Sequence, residues 1–408
     1  MFKKSFMKIG LVLLTISSMQ GKTIDDVVEN TFKKNHNIKA LESSINVALE
    51  ELNLSTKWAN PILSYGLSDI QFDDIKARDK EPMQGQFIGI SQVIPIGNKI
   101  DIKKKIAKNK YEISKYEMED KKLQLKSKIY EFIFNIKVYK EKLELLEKYK
   151  SNTKKLEELL KELYKYNKAN QVQILKTQIK YNELNLKIQD LKTMLNTLKY
   201  KLEQITYSKY SNIKFQYKIK NLSLISDVKK HPKLLSILEE SKMFEEISAL
   251  EKERKKSDVK VNLAYIQRHS KYEDYVNISV SVPLPILGIE DLKSRKAKFK
   301  AMEVNYKYSD MLLVFENKLE ILQQNINDSQ TSYNIIKKEI LPKYEQLQRL
   351  IENYISLSSF KNIDSKELIN NMNESIKYEL KAVDEKQKYF TLLSKSIYFL
   401  KELKWDLY

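Results

Sequence analysis

Acid–base, metal and nucleophilic chemistry need reactive side chains brought together, and this 408-residue chain offers few sets that could be. The only histidines are His36, His231 and His269, and no two of them stand at metal-ligand spacing. With no Cys, thiolate zinc sites, iron–sulfur clusters, disulfides and a cysteine nucleophile are all excluded. There are 7 Gly residues, and neither a Walker-type phosphate loop nor a dinucleotide glycine fingerprint occurs. The carboxylate pairs Glu157-Glu158 and Glu239-Glu240 lie among lysines in helical stretches, so they read as solvated helix faces rather than as an acid and its base. These residues predict no catalytic site, no metal and no cofactor. His36 and His231 read instead as parts of helix starts.

What the chain has in excess is charge, +19 at neutral pH. An anionic partner follows as a question, and its answer depends on where the charge lies. Three of the cations, Lys3, Lys4 and Lys8, precede the apolar run from Ile9 to Ile16, and small and polar residues follow to Gly21. This is the pattern of a secretory signal peptide over residues 1–21, whose removal leaves +16. The remaining excess is uneven: Lys99, Lys103, Lys104, Lys105, Lys108 and Lys110 follow the first hairpin-like region, Lys293, Arg295, Lys296, Lys298 and Lys300 follow the second, and Lys252, Arg254, Lys255 and Lys256 precede the second. Cations at a helix start oppose its dipole. They therefore point to an anionic membrane surface or to general solvation. Nucleic acid fits poorly with an export signal and with Glu interleaved among the lysines.

The elements that must position these charges are long. Gly and Pro number 7 each, where average usage would give roughly 29 and 20, and neither occurs between Asn98 and His231. Leu125, Ile129, Phe132, Ile136, Tyr139, Leu143 and Leu146 step by 4 and 3 in turn, as do Leu184, Ile188, Leu191, Leu195, Leu198, Leu202 and Ile205. These are coiled-coil seams, and the polar run near 166–171 between them is the tip of a helical hairpin. Val259, Val261, Leu263 and Tyr265, and then Val276, Ile278, Val280 and Val282, alternate with other residues at period two and predict a β-hairpin with one apolar face. Leu63, Tyr65 and Leu67, with a second strand from about Gln86 to Ile94, predict another. The order helix, hairpin, coiled-coil hairpin occurs twice, predicting repeats over 22–225 (hairpin 61–96, tip near 166–171) and 226–408 (hairpin 257–286, tip near 356–364).

A hairpin with an apolar and a polar face, in an exported chain, suits a membrane barrel, yet four strands cannot close one. Three chains would supply twelve. In this order of elements the chain resembles the TolC-like outer-membrane efflux proteins, in particular the metal and drug efflux branch. The run Ala169-Asn170-Gln171-Val172-Gln173-Ile174-Leu175 is similar to the family's first tip, with Ala169 where the family has Gly and Gln173 where it has an acid. Ile94-Pro95-Ile96-Gly97 resembles its strand-to-helix junction, and Ile340-Leu341-Pro342 followed by Glu367-Leu368-Ile369 resembles the approach to its last helix.

The resemblance implies an α+β membrane protein of long antiparallel coiled-coil helices and two β-hairpins per chain. Such a chain trimerises into a 12-stranded outer-membrane β-barrel above a periplasmic α-helical barrel. It implies a passive exit duct with no enzyme activity, opened by a periplasmic adaptor and driven by an inner-membrane pump. Asn170, Gln171 and Gln173 would then form the adaptor-docking tip through polar contacts. Glu367 and Asn370, with Asp364, would form a periplasmic gate. Lys103, Lys104, Lys105, Arg295 and Lys296 would face outer-membrane lipid at the base of the barrel. The alternative is an exported coiled-coil scaffold or adaptor that never enters a membrane.

Overall fold

A computed structural model describes residues 23–167, 169–210, 213, 215, 217–224, 227–357 and 365–400, with the backbone alone at 351–357 and 365–369. The leader expected over 1–21, Asp364, and the turn of the second tip at 358–364 lie outside the described residues. Helices α1 (Ile24–Lys34) and α2 (His36–Leu54) lead into strands β1 (Ile62–Ser68) and β2 (Gly85–Ile94), then into α3 (Lys99–Lys165) and the returning α4 (Gln171–Thr206). The second half repeats the order: α5 (Pro232–Glu253), β3 (Val259–Arg268), β4 (Tyr275–Ser281), α6 (Ile289–Ile335), α7 (Leu341–Leu357) and α8 (Ser365–Phe399).

Local chemistry places the helix ends. Thr23 and Asp26 form a reciprocal capping box at α1, and the Asn35 side chain accepts from the N–H groups of Asn37 and Ile38 to start α2. At the matching point of the second half, His231 caps α5 through Nδ1, with Pro232 preset for the first turn. His36 is the first residue of α2 and His231 the residue before α5, so both sit at helix starts as expected.

Helix α3 runs for 67 residues, a rod of about 100 Å at 1.5 Å per residue. Its seam residues Ile129, Ile136 and Leu146 are buried, as are Leu184, Ile188, Leu195 and Leu202 on α4. Nearest the strands the helices lie side by side in the order α2, α3, α5, α6, and farther from them in the order α4, α3, α8, α6 with α7. The result is a helical sheet with two free edges, α2 and α4 on one side and α6 and α7 on the other. Between α6 and α7 a π-helical turn spans Ile336–Ile340. Pro342 follows at once, and its missing N–H and its ring disfavour regular helix over the preceding turn. Ile336 and Leu341 still bury against Ala382 of α8.

The main core lies at mid-length and is aromatic: Phe134 packs on Phe390 at 4.8 Å between ring centroids, and Tyr389 and Phe315 join the same cluster. The stretch linking the two halves straps this core. Tyr217 stacks on Phe390 at 4.5 Å, the Tyr389 hydroxyl donates to the Lys220 carbonyl, and the Gln323 side chain holds both the Leu224 N–H and the Leu222 carbonyl. The C-terminal end of α8 closes the cluster, where the His231 ring lies edge-on to Phe315.

His231 titrates where this core can feel it. Burial pushes its pKa below the ordinary value, and Nδ1 must stay unprotonated to accept the Lys233 N–H while Nε2–H donates to the Tyr398 carbonyl. Because the folded pKa is depressed, this contribution to stability is full above roughly pH 6.5 and is lost as the pH falls below it. Thermal unfolding should therefore show the parent losing more stability than His231→Asn between about pH 7.5 and 5.5. An equal loss in both would show that the histidine cap carries no pH dependence.

Candidate membrane sheet and helical duct

The four strands form one antiparallel sheet in the order β1-β2-β3-β4, so the two hairpins join through the β2–β3 pair. Directly paired residues share a face, and in the middle of the sheet the pairing separates apolar from small and polar side chains. Leu63, Ile90, Leu263 and Ile278 form one transverse row, and Tyr65, Ile88, Tyr265 and Val276 form the next. All eight are exposed in the single chain, Ile278 to 69%. The opposite face carries Ser64, Gly89, Ala264 and Asn277 in one row, Ile62, Ser91, Asn262 and Ser279 in another, and the more apolar Gly66, Phe87, Ile266 and Tyr275 in a third. The apolar alternation expected for the second hairpin thus extends across the first. Gln84 orders the long β1–β2 loop: its side-chain oxygen accepts from the N–H groups of Lys80 and Glu81, and its amide donates to the Asp69 carbonyl.

The sheet meets the helices at two unlike junctions. Below β2, Gly97 takes a left-handed φ of 81°, and the Glu253 carboxylate accepts the Asn98 N–H there. A Cβ on Gly97 would run into that carboxylate. Lys99 is buried and donates to Asp258 at 2.6 Å, while Asp258 also accepts the Ile96 N–H. Burial opposes ionisation of Asp258, but the Lys99 ammonium and the Ile96 N–H hold its carboxyl below the usual range. Below β4, Gly288 has φ 69° and stands in open space, with no atom within 4 Å of where a Cβ would lie, and Leu284, Ile286 and Leu287 are exposed. Glu253, Asp258 and Lys99 had no motif to reveal them, because their partners lie 155 to 162 residues away.

The edge helices have apolar residues on two opposite sides. On α4 the buried residues Leu184, Ile188, Leu195 and Leu202 are one side; Val172, Ile179, Leu186 and Tyr200, about half a turn away at roughly 100° per residue, are exposed. On α6 the buried side is Ala297, Ala301 and Val304, and the exposed side is Leu292, Phe299, Tyr306 and Leu313, seven residues apart. The heptad spacing of these second seams was present in the sequence beside the first.

At the first tip, α3 ends at Lys165, Asn167 takes a positive φ, and α4 starts after Asn170. Asn170 and Gln173 form a capping box, each accepting the other's backbone N–H at 3.0 and 2.9 Å. Their side chains are committed to the helix start, and Gln171 beside them is exposed. The tip is also less polar than expected: Tyr164, Tyr166, Val172 and Leu175 are all exposed around it. The expectation that Glu157 lies on a solvated face is corrected. It is 5% exposed, accepts from Lys161, Gln178 and Lys154, and is held at a pKa of about 2 by those three donors in that order. The Gln178 contact pins α3 to α4 near the tip.

The remaining expected site residues are spread over both ends of the helical sheet. Lys103, Lys104, Arg295 and Lys296 are exposed; Lys105 pairs with Glu246 at 3.6 Å, and the charge of Lys103 bears on Asp258. Lys296 lines an open groove with Lys293, Lys300, Phe244 and Phe299. Glu367 and Asn370 are both on α8, three residues apart, and Asn370 is exposed. Among the described residues no group of three or more His, Asp or Glu could hold a metal ion, and no helix is long and apolar enough to cross a membrane.

A strand-capped helical sheet of this kind is the protomer fold of the TolC-like outer-membrane channels, as comparison with solved structures shows. The Campylobacter jejuni CmeC outer membrane channel matches with a TM-score of 0.75 at 14% identity, over 92% of this chain and 85% of that one. CusC matches at 0.74 and 10% identity, over 93% and 92%. The open state of the Neisseria gonorrhoeae MtrE outer membrane channel matches at 0.70 and 10% identity, over 92% and 88%. No family profile and no curated protein sequence matches the chain.

Proposed function

We propose that this chain is the outer-membrane exit duct of a tripartite export system, working as a homotrimer that extends into the periplasm. The observation that carries the reading is the coincidence of free edges. The sheet ends in unpaired β1 and β4, which run in opposite directions, and the helical sheet below ends in helices with unburied second seams. An antiparallel β4-to-β1 contact between neighbours continues the sheet, and the same rotation lays α6 and α7 against α2 and α4 of the next copy. Three copies give twelve strands, an even number suited to a membrane barrel. A periplasmic scaffold has no use for a sheet whose whole apolar face is exposed.

In this reading the apolar face contacts lipid, the polar face lines a passive lumen, and the two repeats, 22–225 and 226–408, contribute equally to the wall. The duct is not an enzyme and carries no cofactor; an inner-membrane pump supplies the energy. Exposed Lys104, Arg295 and Lys296 lie one to two helical turns below the strands, where inner-leaflet phosphates attract cations by about 1 kcal/mol each. Exposed Lys103 stands with them, whereas Lys105, paired with Glu246 at 3.6 Å, contributes less. The first tip meets the periplasmic adaptor through Gln171, with Asn170 and Gln173 shaping the turn that presents it. Glu367 and Asn370, one helical turn apart on α8, supply the periplasmic gate, with three copies of Glu367 about the axis.

Three measurements test these assignments. Ile278→Arg should cost about 2–4 kcal/mol of barrel stability and abolish heat-sensitive trimers on a gel, whereas Ser279→Arg on the other face should leave them. Equal loss in both would refute the facing assignment. Gln171→Arg should abolish export while trimers persist in the outer-membrane fraction; undiminished export would remove the tip from the docking surface. In single-channel recordings Glu367→Lys should shift ion selectivity away from cations relative to the parent, and an unchanged selectivity would place the gate elsewhere.

A further inference from the structure

We propose that the barrel lumen selects negatively charged cargo, with Lys260 as its determinant; this rests on the channel reading and adds the class of substrate. The four strands of the inward face carry two charged side chains, Lys260 and Arg268, and no carboxylate. Lys260 lies opposite Val93 and Ser281 at the helix-proximal end of the sheet, and Arg268 opposite Gly85 at the far end.

The two cations differ in how far their charge is balanced. Arg268 donates to the carbonyls of Glu273 and Pro82 and lies over the Tyr272 and Tyr275 rings, and Asp274, which accepts its N–H, offsets part of its charge. Lys260 is exposed. The nearest acid in sequence, Asp258, is already taken by buried Lys99 at 2.6 Å and also feels the charge of Lys103. On the inward face of the strands no acid stands beside Lys260 to balance its charge. Threefold symmetry makes a ring of three such lysines inside a low-dielectric wall, which focuses their field on the lumen. Rings of Lys or Arg are what anion-selective pores use. The cargo this fits is a solute bearing a carboxylate, sulfonate or phosphate.

The absence of Cys from the chain makes a direct test possible. Asn262→Cys places a single thiol on the inward face, two residues from Lys260. In reconstituted trimers its reaction rates with an anionic sulfonate-bearing and a cationic trimethylammonium-bearing methanethiosulfonate, each normalised to a free thiol, report the local potential without depending on the periplasmic gate. The anionic reagent should be favoured about tenfold. Lys260→Gln should reduce the preference several-fold, and Lys260→Glu should invert it. No anionic preference, no reaction with either reagent, or a preference unmoved by both substitutions would overturn the proposal. Ile278→Cys distinguishes the parent reading. On the lipid face it should resist both water-soluble reagents, and reaction there as fast as at Asn262→Cys would overturn the channel itself and the lumen with it.

Discussion

A helix that is apolar on two opposite sides has to be packed from two sides, and this constraint governs the whole molecule. Each exposed Leu, Ile or Phe in a seam forgoes about 1.5–3 kcal/mol until it is covered. In α3 both sides are covered within the chain, by α2 or α4 on one hand and by α5 or α8 on the other. In α4 and α6 one side is covered and the other is not. A closed ring satisfies every helix alike, whereas an open stack always leaves two edges. The sheet obeys the same rule through hydrogen bonding, because its unpaired edges leave backbone N–H and C=O groups without partners, which a membrane does not tolerate. Helices and strands of the single chain thus end in uncovered edges on the same two sides, and the proposed trimer would cover both at once.

The two strand-to-helix junctions differ because of where each lies relative to those edges. The junction after β2 is interior, so its turn is locked by groups of the same chain: Glu253 on the Asn98 N–H and Asp258 on Lys99 and Ile96. The junction after β4 lies at the edge, and its counterpart residues Leu284, Ile286 and Leu287 are uncovered. Two halves of similar pattern can therefore diverge in chemistry. The interior turn is satisfied within its own chain, while the edge turn is left open in the single chain, where the proposed trimer would set a neighbour against it.

Elements set by local periodicity were legible in the sequence. The 4–3 seams located α3 and α4, the period-two runs located β3 and β4, and the polar run near Asn170 located the first tip. What was not legible depends on contacts across long separations. The strap over the aromatic core needs Phe390, Tyr389 and Gln323 to meet a segment that has no periodicity of its own. Glu157 read as solvated because its lysine neighbours at i−3 and i+4 suit a surface, while Gln178 of the returning helix covers it. At the tip the residue types were right for the turn, yet Asn170 and Gln173 are occupied by each other, so their identity reports helix initiation first. The second seams share the heptad spacing of the first, so periodicity alone does not say which of the two is covered within the chain.

The inward face of the proposed barrel has a sequence of environments along its axis. Lys260 is at the helix-proximal end, then come mostly small and polar residues around Asn262 and Ser279, with Ile62 at the β1 edge, then a row of Gly66, Phe87, Ile266 and Tyr275, and finally Arg268. Gly66 is required in the third row, because a Cβ there would strike the Phe87 ring, which lies across it. Phe87 is thereby laid against the wall and adds apolar surface to the lumen without projecting across it. A solute with a single anionic group and an apolar body meets a cation, an apolar belt and a second cation in turn. None of these holds it in a closed pocket, and a passive duct requires that each contact be favourable enough to admit the solute and weak enough to release it.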